Sequence, residues 1–325
     1  MMDRRTSLKV AGLTAVELFS QSAFAQDDKS PMTVLVGAAS SMDFTARLIG
    51  DQLRERLNRP VVVSSKLGAG GRLALGELKR AAPDGNTVMF STSSLFAIYP
   101  HIYTKLDYDP VADFTPICGL TWFDLGIATG INSGITDIAQ WIASVKSQGS
   151  AGGVYGVAPG AGSSSHFLGI ALAQSQAMKM EPVHYKDSGI GIVDLAAGRL
   201  PMLITGTSAL VEMHRAKKIR MLAVSGEQRS ELVPEVPTLK ESGLNIAIQN
   251  SAGLYGPAKM SKELVDRIAS ATLPMLQKAD VKTKLASQGM AISPMNAIQL
   301  ANSLSEDRKK FEILAKASGY KPEAL

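Results

Sequence analysis

Short, continuous apolar runs alternate with segments of helical period along this chain, beginning at residue 33. The runs 33–36, 61–64 and 87–90 have the length and β-branched content of buried strands. Between them, 44–57 places Ile49, Leu53 and Leu57 four apart, and 73–81 is a second helical segment. Asn58-Arg59-Pro60 and Pro83-Asp84-Gly85 punctuate the series. Strand and helix in such order predict an α/β fold, a parallel sheet with helices on its faces.

A second series follows the first. A long apolar stretch, 114–129, leads to a helix on which Ile138, Trp141, Ile142 and Val145 share one face. After the glycine-rich break at 149–153, strands are expected at 154–157, 182–185, 201–204 and 220–224, with helices at 165–177, 188–197 and 209–217. The run 251–260 reads as a strand and turn, and helical segments follow at 261–277, 281–288 and 297–317. The 325 residues are enough for two cores of ordinary size. Two α/β halves are therefore expected, with the chain passing between them near 125–130 and again near 248–253.

In parallel α/β sheets, ligands bind beyond the carboxyl ends of the strands, where loops enter helices. Six such loops stand out: GAASSMD (37–43), SKLGAGG (65–71), STSS (91–94), PGAGSSSH (159–166), YKDSG (185–189) and TGTSA (205–209). Small side chains leave backbone N–H groups open, helix starts add a positive dipole end, and hydroxyls add donors. Together they suit an anion site built without Arg or Lys. Ser, Thr and Asp also cap helices wherever they occur, so any one loop is explained by capping alone, and recurrence in both halves favours binding. Other chemistries are poorly served. LGAGG lacks the Lys-Ser/Thr of a nucleotide loop and the full dinucleotide spacing. His101, His166, His184 and His214 lack metal-ligand spacing, so neither a metal nor a cofactor is expected. SSSH (163–166) admits a serine hydrolase using Ser164 with His166, but neighbouring residues on a helix start point apart and no G-x-S-x-G elbow is present.

The net charge of +5 is spread along the chain and aromatics make up only 6%, which argues against nucleic acid and for a solvated basic surface. Cys118 is the only cysteine, so no internal disulfide can form, and its apolar surroundings predict a buried structural thiol. Residues 1–25 combine Arg4, Arg5 and Lys9 with a modestly apolar middle and Ala23-Phe24-Ala25 before Gln26. That is the make-up of an export signal cleaved near Ala25-Gln26. The paired arginines resemble a twin-arginine signal, although Ser7 and Glu17 depart from the pattern. No later segment reaches the apolar length of a membrane span.

Several stretches are specific beyond their physics: GAGG (68–71), AAPDGNT (81–87), YPHIYTKLDYDPVADF (99–114), HYKDSG (184–189), RMLAVSGEQRS (220–230), VPEVPTLKESGL (233–244) and GLYGPAKMSKELVDRI (253–268). Through them the chain resembles, over roughly 33–320, the Bug (Bordetella uptake) family, the extracytoplasmic solute receptors of tripartite tricarboxylate transporters. The resemblance implies a two-domain periplasmic binding-protein fold of type II-like, Venus-flytrap form with a crossed hinge. It also implies a small carboxylate or aromatic acid held by loop N–H groups, hydroxyls and waters rather than by a salt bridge. The first loop departs from the family's Pro-Gly-Gly-Gly-Thr-Asp, with Ala38-Ala39-Ser40-Ser41-Met42-Asp43 in its place. Asp187 stands where Gly is usual, and Thr205 where an acidic residue is common.

The expected arrangement is a monomer, with 31–127 plus 250–325 as one domain and 128–249 as the other. Its expected site draws Ala39, Ser40, Ser41 and Asp43 from the first loop, with Thr92 and Ser93 beside them. The other half is expected to contribute Ser163, Ser164, His166 and Thr205. These would donate to carboxylate oxygens, while Asp43 orients its loop and caps its helix. The expected role is periplasmic capture of a carboxylate for a membrane permease. A sensor delivering the bound form to a kinase is the alternative, and the hydrolase stands behind both.

Overall fold

The computed structural model describes residues 30–38, 41–148, 153–318 and 320–322. The export signal expected at 1–25 lies outside them, as do Ala39 and Ser40. In the first half, β1 (Met32–Val36) lies between β2 (Val61–Ser65) and β3 (Thr87–Thr92), parallel to both. The connections run through α1 (Ser41–Leu57) and α2 (Arg72–Arg80), which bury Ile49, Leu53, Leu75 and Leu78 completely. Two short helices, α3 (Ser94–Ala97) and α4 (Tyr99–Ile102), then lead toward β4 (Phe114–Gly130).

In the second half, β5 (Val154–Val157) pairs in parallel with β6 (Glu181–His184) and β7 (Leu203–Gly206). Its helices are α5 (Ile138–Gln148), α6 (Ser164–Ser175), α7 (Ser188–Ala196) and α8 (Thr207–Arg215), followed by β8 (Ile219–Val224). The remaining elements are β9 (Gln249–Pro257), α9 (Lys262–Thr272), α10 (Ala279–Ser287), β10 (Ala291–Met295) and α11 (Ala297–Ser318).

The sheet is parallel only within each half. Its order is β2-β1-β3-β9-β4-β7-β5-β6, and both β9 and β4 run antiparallel to their neighbours. β4 belongs to both halves. Its residues up to Asp124 pair with β9, whereas those from Leu125 onward pair with β7 and those from Gly126 with β8. Two register shifts against β9 let so long a strand curl, as bulges do. Gly126 is required where α8 and β8 close on β4. A Cβ there would lie 2.7 Å from both Leu210 Cδ1 and Met221 Cε.

The return crossing lies just before β9. Ser225, fully buried, ties it to the outward crossing: the Leu125 N–H donates to Ser225 Oγ at 3.0 Å, and the Ser225 hydroxyl donates to the Ile248 carbonyl. α11 is shared in the same way. Leu300 and Leu304 pack with Phe96 and Tyr255, whereas Phe311 and Ala315 pack with Trp141 and Phe167.

Two elements differ from the periodicity. The helix expected over 261–277 ends at Thr272, because Pro274 lacks the N–H that would continue it, and a 3₁₀ turn follows. β10 falls in a segment read as connection. Pro294 argues against a strand locally, and only pairing with β4 makes one, at an irregular register. Among the described residues no helix is long and apolar enough to cross a membrane.

Cys118 is fully buried, and burial pushes its thiol up to about 12. A thiol that remains protonated and out of reach should not react. The folded protein at pH 8 is therefore expected to resist aromatic disulfide reagents and to consume one equivalent once denatured. Rapid labelling of the native protein would show that β4 opens.

Candidate functional site

All six small-residue loops reach one cavity of about 610 Å³ between the two halves. From the first half come Gly37, Ala38, Ser41, Gly70, Gly71 and Thr92. The first two loops touch main chain to main chain: a Cβ on Gly37 would lie 2.6 Å from Gly71 Cα, so only glycine allows the approach. Ser188, Thr205, Gly206, Ser208 and the 161–165 segment face them from the second half. No Lys or Arg is among the described residues that line it. Arg72, next to the second loop, is engaged instead, its guanidinium 4.6 Å from the Tyr103 ring centroid and donating to the Ala69 carbonyl.

The helix starts here are built from local sequence. Ser163 caps α6, accepting from the His166 N–H, and sends its own hydroxyl to the Gly160 carbonyl. Ser164 then stands first in the helix. Ser164 also meets the other half, because Asn250 Nδ2 donates to Ser164 Oγ at 3.0 Å while Ser94 donates to Asn250 Oδ1 at 3.2 Å. Asn250 thus bridges a helix start of each half. Ser188 and Thr205 share a 2.6 Å hydroxyl contact that joins two loops of the second half.

Of the residues expected from sequence, Ser41, Thr92, Ser163, Ser164 and Thr205 line this cavity. Asp43, Ser93 and His166 do not. The Asp43 carboxylate is held below the usual carboxylate range by the Ser65 hydroxyl and by Arg47, so it ties α1 to β2. Ser93 is buried, its N–H bonded to the Ser251 carbonyl. His166 lines a different cavity with Tyr155 and Tyr320. Its Nδ1 accepts from the Gly162 N–H, and burial, aided by His184, lowers it to about 4. Committed to that bond and facing away, it cannot serve Ser164 as a base. Asp187 is likewise spent locally, capping α7 through the Ile190 N–H.

The loop pattern did not point to Asp124, Asn250, Tyr99 or Tyr103, which also line the cavity. Tyr99 donates to the Gly70 carbonyl at 3.0 Å, and burial raises its hydroxyl to about 12. Asp124 carried a visible signal, being the one charge inside the apolar run that became β4.

Known proteins are similar to this chain in sequence and fold. The description "Tripartite tricarboxylate transporter family receptor" matches residues 45–320. A UPF0065 protein of Bordetella bronchiseptica is 27% identical over 291 residues, covering 90% of this chain and 86% of its own. Protein BugT of Bordetella pertussis is 29% identical over 213 residues, 65% of each chain. The structure of MatC from Rhodopseudomonas palustris, with bound malate, superposes with a TM-score of 0.73 at 25% identity, covering 88% of this chain and 98% of MatC.

Proposed function

We propose that the cleft of this chain, which belongs to the tripartite tricarboxylate transporter family of receptors, captures a small carboxylate and delivers it to a permease of that transporter type. The fold is the two-lobed α/β fold of periplasmic solute-binding proteins. Receptors of this family bind solute without a catalytic step.

One observation carries the reading. Four helices of nine residues or more, α1, α6, α7 and α8, present their first turns to a single cavity with no basic side chain among the described residues that line it. Amide donors and aligned dipoles at such starts hold an anion. Each hydrogen bond to a charged group is worth about 1.5–3 kcal/mol, so a few reach the roughly 8 kcal/mol of micromolar binding. The malate in MatC supports an anionic occupant.

The lobes are assigned to 31–127 with 250–325 and to 128–249. β4 changes partners just inside that boundary, and β9 rejoins the first sheet from Gln249. Rotation about these crossings would close the cleft over its ligand, as hinged receptors do. The make-up of residues 1–25 and the periplasmic role of the family support export of the mature chain to the periplasm, where we read it as acting as a monomer.

A thermal-shift screen of mono-, di- and aromatic carboxylates tests the reading. A binder at a hundred times its Kd is expected to add about 2.7 kcal/mol to folded-state stability. Stabilisation by neutral solutes or nucleotides, with none by any carboxylate, would overturn it. Deleting the gene should then abolish uptake of the acid found. Uptake that persists, with loss of transcription from a neighbouring operon, would favour the sensor role.

A further inference from the structure

Asp124 is the one acidic residue among the described residues that line the cavity. It lies where β4 leaves the first sheet, opposite Gln249, and is 3% exposed. Its Oδ2 is buried and meets no donor at full hydrogen-bond geometry among the described residues; the neighbouring Thr207 hydroxyl, itself otherwise unpartnered, is the side chain that eases its charge. A buried carboxylate is costly to keep charged, and no Lys or Arg among the described residues lining this cavity offsets it, although Asp124 also borders a second cavity with Arg229 and Lys282. The other groups around the cavity behave differently. Amides and hydroxyls at the helix starts donate to an anion, whereas Asp124 in its charged form can only accept.

We propose that Asp124 is a specificity-determining acceptor, selecting carboxylates that also carry a hydroxyl or ammonium donor over those that carry none. The inference rests on the carboxylate-receptor reading and sharpens it. A ligand whose carboxylate sits on the helix starts and whose own donor reaches the Asp124 carboxyl adds a hydrogen bond to that buried charge. A ligand with carboxylates alone offers Asp124 no donor and adds a like charge near it. Burial raises Asp124 to about 6, consistent with a carboxylate that has lost water and gained no cation.

The test is calorimetry on the purified protein with trios that share a carbon skeleton: propionate, lactate and alanine; succinate, malate and aspartate; glutarate, 2-hydroxyglutarate and glutamate. In the trio that binds best, the hydroxy or amino acid is expected to bind at least about tenfold tighter than the plain acid. Asp124→Asn should bring that ratio close to one, chiefly by weakening the hydroxy and amino acids. Its thermal unfolding, measured alongside, establishes that the variant is folded. A plain acid that binds the unmodified protein as tightly as its hydroxy and amino partners overturns the assignment of Asp124, as does an unchanged ratio in the folded variant. Either result leaves the receptor reading standing. Failure of every carboxylate to bind overturns both.

Discussion

Ser225→Ala is expected to lower the free energy of unfolding by about 2–4 kcal/mol, although it removes a single oxygen. Ser225 follows β8 and is fully buried between the two crossings. Its hydroxyl accepts from the Leu125 N–H at 3.0 Å and donates to the Ile248 carbonyl at 2.5 Å. Its main chain repeats the link, with the Ser225 N–H donating to Leu125 O at 2.8 Å and the Ile248 N–H to Ser225 O at 2.9 Å. Alanine keeps the main-chain bonds and strands a buried donor and a buried acceptor, each costing about 1–3 kcal/mol. Chemical denaturation measures the loss, and a change below about 1 kcal/mol would mean that water or a local shift replaces the hydroxyl. Because the staple joins both crossings, the same variant should also loosen the hinge. Hydrogen exchange at Leu125 and Ile248 is expected to rise more than in the cores of either half.

The second large effect concerns binding. Ser164→Pro is expected to weaken affinity for the best acid of the screen by about ten- to a hundredfold, the worth of one or two hydrogen bonds to a charged group. The substitution is suited to its position. Pro is favoured at the first residue of a helix, and Ser163 already has the extended backbone (ψ 163°) that a following Pro requires. α6 should therefore still form, lacking one amide donor and one hydroxyl at its start. Ser164→Ala separates the two contributions, because it removes the hydroxyl and its bond from Asn250 but retains the N–H. Calorimetry that finds Ser164→Pro indistinguishable from the unmodified protein would take the α6 start out of the site.

Much of this was legible in the chain itself. The four-residue spacing of Ile49, Leu53 and Leu57 marks the buried face of α1, and all three small-residue loops of each half reach one cavity. Those loops could be found because strand ends, helix starts and small side chains are local properties. His166 shows the limit of the same reasoning. Two residues apart on an α-helix means about 200° of rotation, so Ser164 and His166 could not both face the cleft. Asp43, two beyond Ser41, is turned away for the same reason and binds Arg47 and Ser65 instead.

The amino-acid sequence alone determined the alternation of strands and helices, the absence of a disulfide and the small, uncharged character of the loops, since each depends on residues within a few positions of one another. Only the tertiary structure decided that β4 serves two sheets, that β10 is a strand despite Pro294, that Asn250 reaches Ser164 from 86 residues away, and that Asp124 is buried in the cleft wall. Those features depend on which distant segments meet, and the period of a side-chain pattern reports that a face is buried without reporting what buries it.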